Sequence, residues 1–132
     1  MILVDASVIL DIWVPDPVWH AWSVGQLRKH SISRDLVINP IIYSEISVSF
    51  ATPSNLDKKL EELQISVLSI SRHVAFLAGK AHQKYRRRGG TKGNVLADFL
   101  IGAHAAVLGC PILTRDTRIY STYFPNVRLN AP

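Results

Sequence analysis

The chain is poor in cysteine. Cys110 is its only one, and a single cysteine cannot form an internal disulfide or, without a second thiol, a cysteine-rich zinc site. It stands between a glycine and a proline ahead of an apolar segment, so we expect a small buried residue. The five histidines are scattered, and none stands three or four residues from another. A zinc site is therefore not expected.

The N-terminal end lacks basic residues and a long uninterrupted apolar segment. No Lys or Arg precedes Arg28, and Asp5 and Asp11 interrupt the apolar start of the chain. A signal peptide carries positive charge ahead of its apolar core, and a transmembrane helix needs about 20 mostly apolar residues. We therefore predict neither of them, no membrane partner and a cytoplasmic location.

Length and charge describe a small basic domain. The 132 residues suffice for one domain, residues 1–132, with a core of its own. Hydrophobic residues make up 48% and the mean hydropathy is +0.15, which predicts an apolar surface covered by a partner, such as a second copy of the chain or a bound peptide. The net charge of +5 suits a substrate that is a polyanion.

Acidic residues are also few. Four of the 10 stand among apolar neighbours at predicted strand ends or early in helices: Asp5, Glu45, Asp98 and Asp116. A lone carboxylate is costly to bury in such a place, and four close together repel each other and raise their pKa values. A divalent cation removes both problems, so we predict a metal site with these four ligands. Asp11 is interpreted as a helix-end or supporting residue and is left out of the site.

Short apolar segments alternate with helical patterns along the chain. The predicted strands are Ile2–Val4, Leu36–Ile38, residues 111–114 and residues 127–129, and residues 67–70 are ambiguous between a strand and an extended connector. The alternation indicates an α/β fold with a central parallel sheet flanked by helices on both faces. Functional groups of such sheets gather at the carboxyl ends of the strands, and Asp5 and Asp116 each follow a strand directly.

Helix start and stop signals place the other two acids near the same edge. Ser7 is the predicted N-cap of the first helix. Asn39, followed by a proline, is the predicted N-cap of a helix that carries Glu45 in its second turn and that Pro53 ends. Asp98 lies early in a later helix of small residues. All four carboxylates thus converge in the predicted fold.

Carboxylate oxygens are ligands of hard cations such as Mg²⁺, and Mn²⁺ fits them too. A cation so held can polarise a phosphodiester, activate a water and stabilise the leaving oxygen, with a second ion about 3.5–4 Å away in binuclear sites. Ser7 and Thr114 are placed to orient that water or a carboxylate. These residues favour hydrolysis of a phosphodiester.

Four segments, in this order, carry a resemblance to a known family. They are Asp5-Ala6-Ser7, Glu45 in a helix after the second strand, the run from Ala97 and Asp98 to His104 and Ala105, and Leu113-Thr114-Arg115-Asp116 with Tyr120 and Phe124-Pro125 after it. Together they resemble the PIN-domain ribonucleases, most closely the VapC-like toxins of type II toxin–antitoxin pairs. The resemblance spans nearly the whole chain.

The resemblance implies a compact α/β fold, Mg²⁺- or Mn²⁺-dependent cleavage of RNA, a homodimer and inhibition by a cognate antitoxin protein. Asp5, Glu45 and Asp98 match the three principal acids of the family. Asp116 matches the more variable fourth acid, and Ser7 matches the small hydroxyl position. The alternative for Asp116 is a structural turn residue that pairs with Arg115 or Arg118. The residue after the first acid is alanine where the family usually has Thr or Ser, a minor departure.

Two further sets of residues have open interpretations. The first set is basic and lies at or within a glycine-rich loop, residues 89–94: Arg86, Arg87, Arg88 and Lys92. These residues either bind the RNA backbone or end a helix in solvent, where cations interact favourably with the helix dipole. Three tryptophans either line a groove for a partner helix or a dimer seam, or pack in the core: Trp13, Trp19 and Trp22. His104 is expected in the core or in an interface.

Two other functions compete with the nuclease. A hydrolase that forms an aspartyl-phosphate, resembling the haloacid dehalogenases, would carry Asp-x-Asp after the first strand, where this chain has Asp5-Ala6-Ser7. A phosphoacceptor receiver domain would need a lysine after a late strand, and no lysine follows Lys92. A non-catalytic module that holds RNA or a protein on its basic surface has no need of four acids, so their presence favours the enzyme.

Overall fold

The computed structural model describes residues 1–93 and 95–132. The predicted loop 89–94 therefore falls partly outside the described residues, at Asn94. The described elements are, in chain order, β1 (Ile2–Val4), α1 (Ala6–Trp13), α2 (His20–Ser33), β2 (Leu36–Ile38), α3 (Pro40–Ser47), α4 (Pro53–Glu62), β3 (Ile65–Val67), α5 (Arg72–Arg87), α6 (Leu96–Leu108), β4 (Ile112–Leu113), α7 (Arg118–Tyr123) and β5 (Leu129–Asn130).

The strands form one sheet in the order β3-β2-β1-β4-β5, and every neighbouring pair is parallel. β1 lies at the centre, where Leu3 is in register with Val37 on one side and with Ile112 on the other. All residues of β1, β2 and β4 are buried, as expected of a parallel sheet covered on both faces. The predicted α/β fold with a central parallel sheet is confirmed.

Apolar side chains of the strands and helices enclose this sheet. Ile9 of α1, Ile42 of α3 and Ile101 of α6 are fully buried in the same core as β1, and Phe99 of α6 belongs to a second cluster with residues of α5. Burial of this apolar surface is the main favourable contribution to folding. It also holds the carboxyl end of β1, and therefore Asp5, at a fixed backbone position.

Helix starts follow capping chemistry, but the predicted start of the first helix is wrong. Asp5 has extended backbone at the end of β1, and its side chain accepts a hydrogen bond from the Ala6 N–H at 2.9 Å. The helix therefore begins at Ala6, and Ser7 lies inside it. The predicted cap of α3 is confirmed, since Asn39 Oδ1 accepts from the Ile42 N–H at 2.9 Å.

Pro53 begins a helix, and the prediction that it ends one is wrong. α3 stops at Ser47. Thr52 then caps α4, because its hydroxyl accepts from the Asn55 N–H at 3.3 Å. Proline suits the first helical position because the N–H that it lacks would have no partner there.

The ambiguous segment 67–70 contains the end of a strand. β3 stops at Val67, and the Leu68 N–H still donates to the Ile38 carbonyl at 2.8 Å before the chain turns into α5. The short helix α7 was not predicted. No helix in the described ranges is both long enough and apolar enough to cross a membrane.

Candidate active site

Asp5 is the most buried of the four predicted ligands. It is 8% exposed, and its carboxylate accepts three hydrogen bonds, from the Ala6 N–H at 2.9 Å, the Thr114 hydroxyl at 2.7 Å and the Ser7 hydroxyl at 3.4 Å. Burial raises the pKa of Asp5 more than these hydrogen bonds lower it, and the charge of Asp116 raises it further. The carboxylate is therefore held firmly in a place where negative charge is costly.

Thr114 connects the end of β4 to this carboxylate. It is fully buried, donates its hydroxyl hydrogen to Asp5, and accepts from the Asp116 N–H at 3.0 Å. Its backbone N–H donates to the Asn130 carbonyl of β5 at 3.1 Å. Both hydroxyls predicted from the sequence, those of Ser7 and Thr114, therefore contact Asp5, and Thr114 also fixes the turn that carries Asp116.

Glu45 and Asp98 approach from two helices. Glu45 lies in the second turn of α3, and Asp98 lies in the first turn of α6. Loss of hydration, with the charges of Asp5 and Asp98, raises the pKa of Glu45 to about 7. Loss of hydration, with the charges of Asp5 and Asp116, raises the pKa of Asp98 to about 6, against a lowering effect of Arg118. The structure thus brings these carboxylates into one electrostatic environment.

A buried polar contact joins the start of α3 to α6. Asn39, the N-cap of α3, has its side-chain nitrogen 3.1 Å from Nδ1 of His104 on α6, and both residues are buried. Since Asn39 donates here, Nδ1 accepts and the proton of the neutral ring lies on Nε2. Burial lowers the pKa of His104, which favours this neutral form. His104 was expected in the core or in an interface, and it is buried within the domain.

Asp116 differs from the other three acids because an arginine neutralises it. The guanidinium of Arg118 contacts both carboxylate oxygens, with Nε 3.0 Å from Oδ1 and a terminal nitrogen 2.7 Å from Oδ2. The backbone N–H of Arg118 also donates to Oδ1 at 3.1 Å. These contacts hold the pKa of Asp116 below its usual range. Asp116 is nevertheless coupled electrostatically to the other acids, since its charge raises the pKa values of Asp5 and Asp98.

Tyr120 provides a polar group beside the four acids. It is 2% exposed, and its hydroxyl has no hydrogen-bond partner among the residues that the structure describes. Burial raises the pKa of Tyr120 far above its usual value, and the charges of all four acids add to the effect. A buried hydroxyl without a partner costs about 1–3 kcal/mol, so a water or a ligand atom in this region would satisfy it.

The donor set fits a hard divalent cation in its chemistry. The candidate ligands are all carboxylates, and three of them, Asp5, Glu45 and Asp98, form no ion pair within the described part of the chain. The raised pKa values of these three acids indicate that their negative charges are poorly compensated by the protein. Within residues 1–93 and 95–132, no three His, Cys, Asp or Glu side chains lie close enough together to hold one ion.

Comparison with known proteins agrees with this geometry. A family model described as the PIN domain matches residues 2–125, a range that contains all four acids. The chain belongs to the PIN domain family. This is a family of nucleases, so its chemistry is hydrolysis of nucleic acids. No curated protein sequence matches the chain.

Solved structures share the fold of this PIN domain over its whole length. VapBC2 from Rickettsia felis, bound to a DNA fragment from its promoter, matches with a TM-score of 0.73 and 18% identity over 100% of this chain and 99% of that one. FitAcB from Neisseria gonorrhoeae matches with a TM-score of 0.69 and 24% identity over 98% and 96%. DNA-bound VapBC from Salmonella typhimurium matches with a TM-score of 0.70 and 18% identity over 98% and 96%. At these identities the likeness establishes the fold.

The structure separates the predicted basic residues of the PIN domain into two places. Lys92 lines a cleft of about 450 Å³ together with Asp98 and Asp116, and its N–H donates to the Tyr85 hydroxyl at 3.0 Å. The three arginines end α5 in exposed positions: Arg86, Arg87 and Arg88. The guanidinium of the last one lies over the ring of Tyr123, 5.7 Å from its centroid. Lys92 is thus the member of the set that lies beside the acids.

Asp11 lies outside the acidic group and has a structural environment. It is 3% exposed and forms a two-pronged ion pair with Arg115, with distances of 2.8 and 2.9 Å, and it accepts from the Ser23 hydroxyl at 2.7 Å. Arg115 stands between Thr114 and Asp116, so this pair links α1 and α2 to the turn after β4. Its interpretation as a supporting residue agrees with these contacts.

The three tryptophans are partly buried. Trp13 packs edge-on against Phe50 with ring centroids 5.2 Å apart, and Trp19 packs against Trp22 at 6.2 Å. Trp13 and Trp22 contact the main core, and Trp19 lies under the guanidinium of Arg115. Packing inside the PIN domain therefore accounts for part of their surface, and a partner remains a prediction.

Sequence reasoning missed two features of the site: the Asn39–His104 contact and the Tyr120 hydroxyl. Asn39 was recognised only as a cap, and Tyr120 only as part of the family pattern. Pairing of Arg115 or Arg118 with Asp116 was an open alternative in the sequence, since short-range pairing is a local feature of turns. The structure pairs Arg118 with Asp116 and Arg115 with Asp11. Contacts between distant segments leave no such local signal.

Proposed function

We propose that this PIN domain is a metal-dependent endoribonuclease and the toxin of a toxin–antitoxin pair, with Asp5, Glu45, Asp98 and Asp116 as ligands of Mg²⁺ or Mn²⁺. The observation that carries the proposal is the mutual influence of these carboxylates. Asp5 raises the pKa values of both Glu45 and Asp98, at the carboxyl edge of a parallel sheet. Uncompensated negative charge of this kind is what a bound cation relieves.

The residues of the chain have distinct roles in this proposal. Asp5 is held in place by Thr114 and Ser7 before any cation binds, so it is the anchoring ligand. Glu45 and Asp98 have pKa values of about 7 and 6, so cation binding competes with their protonation near neutral pH. A bound Mg²⁺ or Mn²⁺ would supply the charge that activates water and stabilises the phosphate.

RNA binding is proposed for the basic residues near the cleft. Lys92 lies beside Asp98 and Asp116, where an ammonium group would contact the phosphate next to the cleaved bond. Arg86, Arg87 and Arg88 extend positive charge along the end of α5, where they would contact neighbouring phosphates. The net charge of +5 supports a polyanionic substrate.

A homodimer, a cognate antitoxin and a cytoplasmic location complete the proposal. Large apolar side chains are exposed on several helices and on the segments next to them, among them Val18 at 72% and Phe76 at 63%. Exposed apolar groups are typical of surfaces that partners cover. The solved structures with this fold include a toxin–antitoxin complex from Klebsiella pneumoniae, with a TM-score of 0.70 and 20% identity.

The nuclease proposal is tested by cleavage of total RNA with the purified protein in Mg²⁺, Mn²⁺ or EDTA. Asp5→Asn and Asp98→Asn remove charge from proposed ligands, and Asp57→Asn is the matched control because Asp57 is exposed on α4, outside the acidic group. We expect metal-dependent cleavage that both site variants lose and the control keeps. Thermal melts of all four proteins show that the fold survives.

Two results would contradict the proposal. Cleavage that persists in EDTA, or in both site variants, would exclude the four acids as ligands of an essential metal. Binding of RNA without metal binding or cleavage, measured by calorimetry with Mn²⁺ and by gel shift, would instead support a non-catalytic module with the same fold.

A further inference from the structure

Arg118 lies at a cleft that contains two of the four acids. The cleft lining includes Lys92, Asp98, Asp116 and Arg118. The guanidinium of Arg118 takes one oxygen of Asp116 at 3.0 Å and the other at 2.7 Å. One residue therefore occupies both oxygens of a proposed metal ligand.

This ion pair competes with the proposed role of Asp116. A guanidinium and a divalent cation are both positive, and each needs the same carboxylate oxygens. The pair is also open to water, since the side chain of Arg118 is 73% exposed and that of Asp116 is 51% exposed. Exposed pairs contribute little to stability, so Arg118 can exchange Asp116 for another anion at little cost.

We infer that Arg118 is an RNA-phosphate-binding residue of the active site, which leaves Asp116 for the RNA backbone when Asp116 becomes a metal ligand. The inference rests on the function proposed above. A guanidinium binds a phosphate with the same planar two-pronged geometry that it uses for a carboxylate. Lys92 lines the same cleft, so the two cations would hold the phosphate beside the acids.

The position of Arg118 supports this exchange. Its charge lowers the pKa of Asp98 as well as that of Asp116, so the guanidinium lies in the field of both acids. Its backbone N–H donates to Asp116 at 3.1 Å and belongs to the main chain at the start of α7. The turn would therefore keep its shape when the guanidinium leaves.

Arg118→Gln tests the inference because it should change metal affinity and RNA affinity in opposite directions. Calorimetry with Mn²⁺ alone should show binding about two- to fivefold tighter than in the parent protein, since Asp116 no longer pairs with a cation. RNA binding is measured by anisotropy with a single-stranded RNA and Mn²⁺, in an Asp98→Asn background that prevents cleavage. In that background, the negative slope of log affinity against log salt concentration should become shallower by about 0.7, as expected for one lost phosphate contact.

Two further variants sharpen the test. Arg128→Gln is the matched control, because Arg128 is exposed and lines a different cavity, with Ala106 and Gly109. It should leave the affinity for Mn²⁺ unchanged. Arg118→Lys keeps the charge but loses the two-pronged geometry, so its RNA affinity should lie between those of the parent and the Gln variant. Melting temperatures should agree within a few degrees, since Arg118 is exposed.

The possible outcomes separate the inference from the function on which it rests. An Mn²⁺ affinity that is unchanged or weaker in Arg118→Gln, or a salt slope that does not change, would overturn the role of Arg118 while leaving the nuclease intact. A parent protein that binds no Mn²⁺ and cleaves no RNA would overturn both. Tighter Mn²⁺ binding together with a smaller salt slope would support the exchange.

Discussion

Replacing Arg115 by alanine should destabilise the protein much more than replacing Arg118, although both arginines form two-pronged ion pairs with an aspartate. Arg115 holds Asp11 at 2.8 and 2.9 Å, and Arg118 holds Asp116 at 3.0 and 2.7 Å. The pairs differ in burial. The side chain of Asp11 is 3% exposed, whereas that of Asp116 is 51% exposed.

The expected loss of unfolding free energy comes from Asp11, which stays buried without its partner. Removing one partner of a buried pair costs about 3–5 kcal/mol, because the other charge stays buried without compensation. Arg115 is itself 29% exposed, so water partly replaces it, and we expect a loss of about 2–3 kcal/mol. Loss of the cation–π contact with Trp19, at 5.5 Å, adds about 0.5 kcal/mol. Arg118→Ala should cost at most about 1 kcal/mol.

Thermal unfolding measures the difference. For a chain of 132 residues, about 1 kcal/mol shifts the melting temperature by roughly 3–5 °C, so Arg115→Ala should lower it by about 8–17 °C and Arg118→Ala by about 5 °C or less. A double-mutant cycle with Asp11→Ala should give a coupling energy above about 1 kcal/mol. Salt should weaken the Arg118 pair more than the Arg115 pair, because exposed charges are screened more.

Equal and small losses in the two alanine variants would refute this reasoning. They would mean that the Asp11 carboxylate is hydrated or protonated once Arg115 is gone. A large loss in both variants would instead show that the exposed pair of Arg118 stabilises the turn after β4.

Three further predictions concern the helices around the site. Since the pKa of Glu45 is raised from 4.5 to about 7, the folded protein binds this proton more tightly than the unfolded chain. Stability in EDTA should therefore decline as the pH rises from about 4.5 to 7, and Glu45→Gln should flatten the decline in melts. Asn39→Ala removes the cap of α3 and a buried hydrogen bond, so urea unfolding should show a loss of about 1–3 kcal/mol. A Cβ at Gly102 would lie 2.4 Å from the Phe124 ring, so Gly102→Ala should lower the free energy of unfolding by about 1–3 kcal/mol. Gly79 has open space around it, so in the same urea measurement Gly79→Ala should stabilise α5 by up to about 1 kcal/mol.

Local patterns predicted most of the elements. Ile2–Val4 and Leu36–Ile38 are strands with the predicted bounds, and the Asn39 cap is confirmed, because short apolar segments and capping residues are local features of the chain. The errors are also local. Asp5 and Ser7 are both good caps, and only the backbone conformation at the end of β1 decides between them. Pro53 ends a helix or begins one according to the residue before it, and Thr52 supplies the cap.

The sequence by itself determined which acids stand at strand ends and helix starts, since that depends on spacing along the chain. Only the tertiary structure decided which of these acids influence one another electrostatically and which arginines pair with them. Two arginines, three residues apart, closely follow β4, and the fold directs Arg115 inward to Asp11 and Arg118 outward to Asp116. Asp11 and Arg115 are 104 positions apart, so only the packing of distant segments could pair them, whereas Arg118 lies two residues from Asp116 and the sequence already offered that pairing.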